Sequence, residues 1–198
     1  MSTTTQQPAA ALLVMDLQTS ITSRFSDGKE PLINALTTAI TAARTAGIPV
    51  IYVVVGFRKG FPEISPDNKS FGPIRQNSAA FAGLEEPLAI EPAIAPLPGE
   101  IVVTKRRVSA FTGSDLEVIL RAAKVQHLVL TGLATSGVVL STLREASDKD
   151  YRISVLSDCC GDMDPEVHNV LLTKVFPRQA DVLTATEWAA GLTAAWPR

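Results

Sequence analysis

Short apolar runs alternate with amphipathic segments along the whole chain. Val50–Val55 is β-branched and apolar throughout, which is typical of a strand buried on both faces. From Pro31 to Ala46, apolar residues recur at helical spacing, with Pro31 suited to the first turn. Further strands are predicted at Ala11–Met15, Ile101–Thr104, Leu128–Thr131, Ile153–Leu156 and Ala180–Leu183, and further helices at Ser114–Ala123, Val138–Lys149, Asp164 to about Phe176, and Thr186–Ala195. This alternation predicts an α/β fold with one parallel sheet covered by helices on both faces.

Two of the predicted helices begin with recognisable capping signals. Ser114 followed by Glu117 matches the capping-box pattern, in which the two side chains satisfy free backbone N–H groups. Asp164 followed by Pro165 is typical of an N-cap and a first helical residue.

The stretch from residue 56 to residue 100 has no clear periodicity and holds seven of the 13 prolines. In a compact domain, a long segment of this kind is more often a lid or a pocket wall than a plain connection. We therefore expect it to border a functional site.

Length and composition narrow the class of protein. The 198 residues, 46% hydrophobic and 19% charged, fit a single globular domain spanning residues 1–198. A net charge of −2 gives no electrostatic reason to expect nucleic acid as a partner. No apolar run approaches the ~20 residues that cross a membrane, and no basic residue precedes the apolar run near the N-terminus as in a signal peptide. The only cysteines, Cys159 and Cys160, are adjacent, which favours a reducing cytoplasm over a disulfide framework.

Two opposite charges follow predicted strands. Asp16 ends the first strand, and Lys105 comes directly after the third. Because parallel sheets bind ligands outside the carboxyl ends of their strands, both residues lie where a site is expected. A buried carboxylate beside an ammonium group can handle protons. Taken singly, Asp16 could equally cap a turn, and Lys105 could be a solvated lysine beside Arg106 and Arg107.

A third feature is the segment from Thr131 to Thr142, which reads TGLATSGVVLST. A strand end, a glycine, small residues and a helix start would aim backbone N–H groups at one point, which favours developing negative charge. The same pattern also fits an ordinary connection between a strand and a helix.

In order, the segments MDLQ (Met15–Gln18), KRRVSAF (Lys105–Phe111) and TGLATSG (Thr131–Gly137) resemble the isochorismatase-like, or cysteine hydrolase, superfamily. The resemblance implies a Rossmann-like, doubly wound sheet of six parallel strands, frequent homo-oligomers and hydrolysis of a small molecule without a cofactor. Its hydrolytic members use an Asp–Lys–Cys triad, in which Asp16 and Lys105 match the first two residues. The implied topology places these two at the ends of adjacent strands.

The third member of the triad is missing. Family members with the cysteine carry the pattern G-x-x-T-x-x-C; counted from Gly132, Thr135 matches the threonine and Val138 stands in place of the cysteine. Isochorismatases resemble this fold, lack the cysteine and cleave a vinyl ether, so the resemblance suggests that Asp16 protonates such a substrate as a general acid. The nicotinamidases' metal-binding histidines also have no counterpart between Gly56 and Ser65, so no metal is expected.

The resemblance also implies which residues contact the substrate. Backbone N–H groups of Ala134 and Val138 would face it, beside Leu133 and Gly137, and the Leu133–Ala134 peptide bond would be cis. Gln18 would orient Asp16 or the ligand. Three aromatic residues are candidate pocket walls or plain core residues, namely Phe57, Phe71 and Phe111.

Two alternatives remain open at this point. The chain could be an inactive family member that binds a small ligand or a partner protein. It could also use a relocated nucleophile, for which the candidates are Cys159, Cys160, Ser136 and Ser141. For His127 and His168 we expect structural roles, because neither lies near a predicted strand end.

Overall fold

The computed structural model describes residues 9–25, 28–77 and 88–195, and its centre is a sheet of six parallel strands. The strands are β1 (Ala10–Met15), β2 (Val50–Val55), β3 (Ile101–Lys105), β4 (His127–Leu133), β5 (Arg152–Gly161) and β6 (Asp181–Leu183). Their order across the sheet is β3-β2-β1-β4-β5-β6, and every neighbouring pair is parallel. The predicted α/β fold is confirmed.

Helices cover both faces of this sheet. They are α1 (Thr19–Thr22), α2 (Lys29–Thr45), α3 (Gly72–Gln76), α4 (Leu116–Ala122), α5 (Leu140–Asp148), α6 (Pro165–Val170) and α7 (Ala185–Ala195). The apolar stripe of α2 packs with α7 over one face of β1 and β4, whereas the apolar residues of α4 and α5 lie in the core on the other face. The central strands are buried on both sides, which explains why their sequences are continuous apolar runs.

Several observed boundaries depart from the predicted ones, among them those of β4, which continues to Leu133, and α6, which ends at Val170. Strand β5 continues to Gly161, so Cys159 and Cys160 lie within the strand and not after it. At α4 the capping-box prediction is wrong, because the N-cap position falls on Asp115 and the side chain of Glu117 pairs with Lys149 at 2.7 Å. At α6 the prediction is confirmed, since Asp164 accepts hydrogen bonds from the backbone N–H groups of Glu166 and Val167.

The long segment after β2 contains α3 and a short 3-10 helix, Pro92–Ile94. Its first part forms a small core of its own, in which Phe57, Phe61, Ile64 and Ile74 pack with Val55. Its last part returns to β1: the N–H of Thr19 donates to Ala89 O, and the N–H of Glu91 donates to Leu17 O, both at 2.9 Å. The predicted lid therefore borders the end of β1, although residues 78–87 lie outside the described part. In the ranges described above, no helix is long and apolar enough to cross a bilayer.

Candidate active site

Asp16 and Lys105 form a buried ion pair at the carboxyl edge of the sheet. The Nζ atom of Lys105 lies 3.0 Å from Oδ2 of Asp16 and donates a second hydrogen bond to the carbonyl oxygen of Arg107 at 2.8 Å. Only 2% of the Lys105 side chain and 9% of the Asp16 side chain are exposed. Two charges with so little access to water are stable only because each is the other's partner.

The strands that carry Asp16 and Lys105 were expected to be adjacent, and this expectation is wrong. Strand β2 lies between β1 and β3. The ends of β1 and β3 are thus two strand spacings apart, about 9.6 Å. The long side chain of Lys105 spans most of this distance. It reaches the carboxylate of Asp16, which is the first residue after β1.

One oxygen of Asp16 has no partner. Among the described residues, Oδ1 is buried and has no hydrogen-bond partner, whereas Oδ2 meets Lys105. Burial raises the pKa of Asp16 above its ordinary value, and the charge and hydrogen bond of Lys105 oppose this shift without cancelling it. The carboxyl group therefore has a raised pKa and one buried oxygen to which no described group donates.

Gln18 fixes the end of β2 beside this pair. Its Nε2 donates to the carbonyl oxygen of Val55, and its Oε1 accepts from the N–H of Val55, both at 2.9 Å. Gln18 is 1% exposed. Its side-chain amide thus holds two strand ends in register close to Asp16.

Near its end, strand β4 lies very close to the backbone of β1. Gly132 has φ of +138°, and a Cβ at this position would lie 2.1 Å from the carbonyl oxygen of Met15. Only glycine allows β4 to approach β1 this closely. The Leu133–Ala134 peptide bond that follows is cis, as the resemblance implied.

Hydrogen bonds hold the turn after β4, some within the turn itself and one to the residue that follows β5. The carbonyl oxygen of Ala134 accepts from the N–H groups of Gly137, at 3.0 Å, and Val139, at 3.3 Å. The N–H of Ser136 donates to Oδ2 of Asp162 at 2.7 Å. The N–H of Ser136 is thus already used, which bears on which N–H groups of the turn a substrate could meet.

Val138, which the sequence resemblance aligns with the family's cysteine, is 2% exposed. It belongs to the core cluster that also contains Met15 and Phe111. Leu133 is 5% exposed in the opposite cluster, and Gly137 is half-buried. A saturated side chain at position 138 can neither attack a carbonyl nor carry a proton.

The three candidate aromatic residues pack against protein neighbours. The ring of Phe57 meets those of Phe61 and Phe71 edge to face, with centroids 5.9 Å and 5.7 Å apart. Phe111 stacks on Tyr151 with centroids 6.0 Å apart. Phe57 and Phe111 are buried and Phe71 is half-buried, so the plain core role explains each of them.

Both cysteines are buried thiols. Burial raises the pKa of Cys160 to about 12 and that of Cys159 still further, with the Asp158 carboxylate adding to both shifts. A thiol that stays protonated is a poor nucleophile.

One residue near the site was missed by sequence reasoning. His168 lies on α6, yet its Nδ1 is 2.8 Å from Oγ1 of Thr135, the residue that begins the turn after Ala134. The other histidine, His127, pairs with Ser154 at the opposite end of the sheet. Across residues 9–25, 28–77 and 88–195, no cluster of three or more His, Cys, Asp or Glu side chains could hold a metal ion.

Comparison with known proteins matches residues 10–187 to the family described as the isochorismatase domain. The chain is 33% identical over 178 residues to ureidoacrylate amidohydrolase RutB of Stutzerimonas stutzeri, covering 79% of this chain and 71% of that one.

Solved structures agree. An isochorismatase family protein from Burkholderia thailandensis has a TM-score of 0.75 and 30% identity, over 95% of this chain and 97% of that one. N-carbamoylsarcosine amidase from Thermoplasma acidophilum has a TM-score of 0.69 and 25% identity, over 89% and 96%. With its six parallel strands and its match over nearly the whole length, this chain belongs to the isochorismatase family of hydrolases.

Proposed function

We propose that this protein hydrolyses a small molecule at an amide-type C–N bond, such as a carbamoyl or ureido group, without a cysteine nucleophile. The observation that carries the proposal is the buried Asp16–Lys105 pair with one unpartnered carboxylate oxygen. Replacing a buried ion pair by apolar residues is often neutral or stabilising, so stability alone does not explain its presence.

The bond type is a correction to the expectation from sequence. The missing cysteine suggested a vinyl ether substrate, but the names of the relatives with 33% and 25% identity both describe the hydrolysis of amides. We therefore assign the amide class and not the vinyl ether. The proposal requires a small-molecule substrate as partner. It also keeps the expectation that the protein forms a homo-oligomer.

In the first step, water takes the role of the absent thiol. Oδ1 of Asp16 accepts a proton from the water molecule while the water oxygen bonds to the carbonyl carbon of the substrate. The electrons of the substrate C=O double bond move onto the carbonyl oxygen. The Nζ atom of Lys105 lies 3.0 Å from Oδ2 of the same carboxyl group. A carboxylate whose pKa is raised is a stronger base than an ordinary aspartate, which suits this role.

The turn after β4 would receive the resulting oxyanion. Of the N–H groups in the turn, those of Ser136, Gly137 and Val139 already donate within the protein. The proposal gives the N–H groups of Ala134 and Val138 to the oxyanion, where donors fixed in advance stabilise developing charge.

In the second step, the tetrahedral species collapses. The oxyanion electrons re-form the C=O bond, the C–N bond breaks, and the leaving nitrogen takes the proton from the carboxyl group of Asp16. The products are an amine or ammonia and a carboxylic or carbamic acid, and Asp16 returns to its ionised form. One water is consumed, and no cofactor is needed for the balance.

A second candidate function is binding without turnover, and the core packing of Val138 favours it. Val138, which the sequence resemblance aligns with the family's nucleophilic cysteine, is a saturated side chain buried in the core. A site without a nucleophile at this position could still bind the same class of ligand.

A substrate panel separates the two candidates. Purified protein is incubated with ureido acids, carbamoyl amino acids, simple amides and isochorismate, with ammonia and pyruvate as readouts and titration calorimetry on the same compounds. The proposal predicts ammonia from at least one ureido or carbamoyl compound. Binding of such a compound with no product over many protein equivalents would support the receptor, and pyruvate from isochorismate would overturn the amide assignment.

A further inference from the structure

The turn that carries Ala134 and Val138 is hydrogen-bonded to residues from the end of β5 to the middle of α6, between Gly161 and His168. Oγ1 of Thr135 lies 3.0 Å from the carbonyl oxygen of Gly161 and 2.8 Å from Nδ1 of His168. The next N–H along the chain, that of Ser136, reaches the carboxylate of Asp162. Two consecutive residues of the turn are thus fixed by three residues of one short segment.

The chemistry of a hydroxyl group decides how these bonds run. Thr135 has a single hydroxyl proton, and the carbonyl oxygen of Gly161 can only accept. The hydroxyl therefore donates to Gly161 and accepts from His168. This requires a proton on Nδ1, so the neutral ring of His168 carries its lone pair on Nε2.

The ring is also reached from outside the protein. His168 is half-buried and lines a cavity of about 410 Å³ together with Cys160, Met163 and Arg24, among others. Burial lowers the pKa of His168, and the charge of Asp162 opposes this shift. Protonation at Nε2 would leave the Nδ1–H bond to Thr135 intact, so the grip on the turn does not depend on the charge of the ring.

We propose that His168 is a positioning residue that holds the turn in the shape needed to present the Ala134 and Val138 N–H groups. It contacts no reacting atom in this account and acts only through Thr135. The inference rests on the proposed function for its purpose, but not for its test. It assigns a role in the candidate site to a histidine that the sequence placed in a remote helix.

The first test is the tautomer of the unmodified protein. Nitrogen-15 NMR of the histidine rings at neutral pH should show His168 protonated at Nδ1 and not at Nε2, with the signals assigned by comparison with His168→Asn and His127→Asn proteins. A neutral ring with its proton on Nε2, or an average of both forms, would overturn the inference. This arm needs no substrate and no stable variant beyond those used for assignment.

The second test uses a reporter thiol in the turn. In a Val138→Cys background, the alkylation rate of the new thiol reports on the N–H groups around it. Adding His168→Ala should slow alkylation about 3- to 10-fold, the size expected for one lost hydrogen bond. Adding His168→Asn should restore most of the rate, because its side-chain amide can donate from nearly the same place as Nδ1.

The matched control is His127→Ala, at the other end of the sheet, which should leave the rate unchanged. Melting temperatures are measured for all variants. An unchanged rate in the His168→Ala protein, or an equal loss in the Ala and Asn variants, would contradict a positioning role. Neither test measures hydrolysis. A protein without turnover would therefore refute the proposed function, whereas the positioning role of His168 would still be decided by these two tests.

Discussion

At the ends of β1 and β3 the candidate site has two charged side chains, whereas after β4 it has a backbone turn and Val138, which the sequence resemblance aligns with the family's nucleophile. Burial of the charged half costs free energy, because both ions lose their hydration and gain only their contact with each other and the hydrogen bond from Lys105 to the carbonyl oxygen of Arg107. The turn half is held by packing and by hydrogen bonds with Gly161, Asp162 and His168.

The charged half of the site therefore says more about function than the turn half. A turn fixed by its neighbours persists whether or not chemistry takes place on it. A buried charge pair with an unpartnered oxygen has no comparable structural reason to persist.

The largest effect is expected from Asp16→Asn. The substitution keeps the shape of the side chain but removes its ability to take a proton from water, so activity should fall about 10²- to 10⁴-fold. The measurement is ammonia release from the best compound of the substrate panel. Asp164→Asn, an N-cap replacement that keeps the capping oxygen, is the matched control and should retain full activity. Equal activity in the two variants would remove Asp16 from the mechanism.

Lys105→Ala should produce the largest loss of stability. It leaves the Asp16 carboxylate buried without its partner, which typically costs about 3–5 kcal/mol in the free energy of unfolding. Urea denaturation at neutral pH measures it. The double replacement Asp16→Leu with Lys105→Met should recover most of the loss, since no charge is then left unpaired. A loss below about 1 kcal/mol, the size typical of exposed pairs, would show that the pair is solvated.

Val138→Cys joins the two halves again. If the charge pair and the turn still create the electrostatics of a cysteine hydrolase, the new thiol should have a depressed pKa even though position 138 is 2% exposed, and it should react with iodoacetamide at least ~10-fold faster than the buried thiols of Cys159 and Cys160. Cys159 and Cys160 give little background, because burial keeps both thiols protonated. A slow thiol at position 138 would mean that the turn half has drifted away from the charged half.

The smallest effect is a shift in pH dependence. If Asp16 is the proposed base, activity should fall as the pH is lowered through its pKa, and the midpoint should lie above the ordinary aspartate value of about 3.9. The same raised pKa contributes stability that is present below the unfolded-state value and is lost as the pH rises through the folded-state value. The stability profile of Asp16→Asn should lack this step, and an acid limb at or below the ordinary value would contradict the shift.

The sequence predicted the fold because its central strands are buried on both faces and are therefore continuous apolar runs. Strand β5 was predicted too short because Ser157 and Asp158 interrupt its apolar run, and Ser157 is half-buried and Asp158 exposed. The pair of Asp16 and Lys105 followed from the rule that carboxyl strand ends share one edge. The position of β2 between them did not, because the order of strands across a sheet leaves no mark on any single strand.

His168 shows the same limit for the site. Its bond to Thr135 joins residues 33 apart in sequence through the packing of α6 against the turn. A lone histidine in an amphipathic helix carries no sign of such a contact. The alignment of Val138 with the family's cysteine comes from counting along the chain from Gly132, and it stays a prediction.

The most direct test of cysteine-free hydrolysis is ammonia release by a Cys159→Ala, Cys160→Ala protein, with its melting temperature and its substrate binding measured beside those of the wild-type protein. The account predicts that the double variant releases ammonia from the ureido or carbamoyl substrate at the rate of the wild-type protein. A double variant that folds and binds the substrate but releases no ammonia would contradict it and would place the nucleophile on β5.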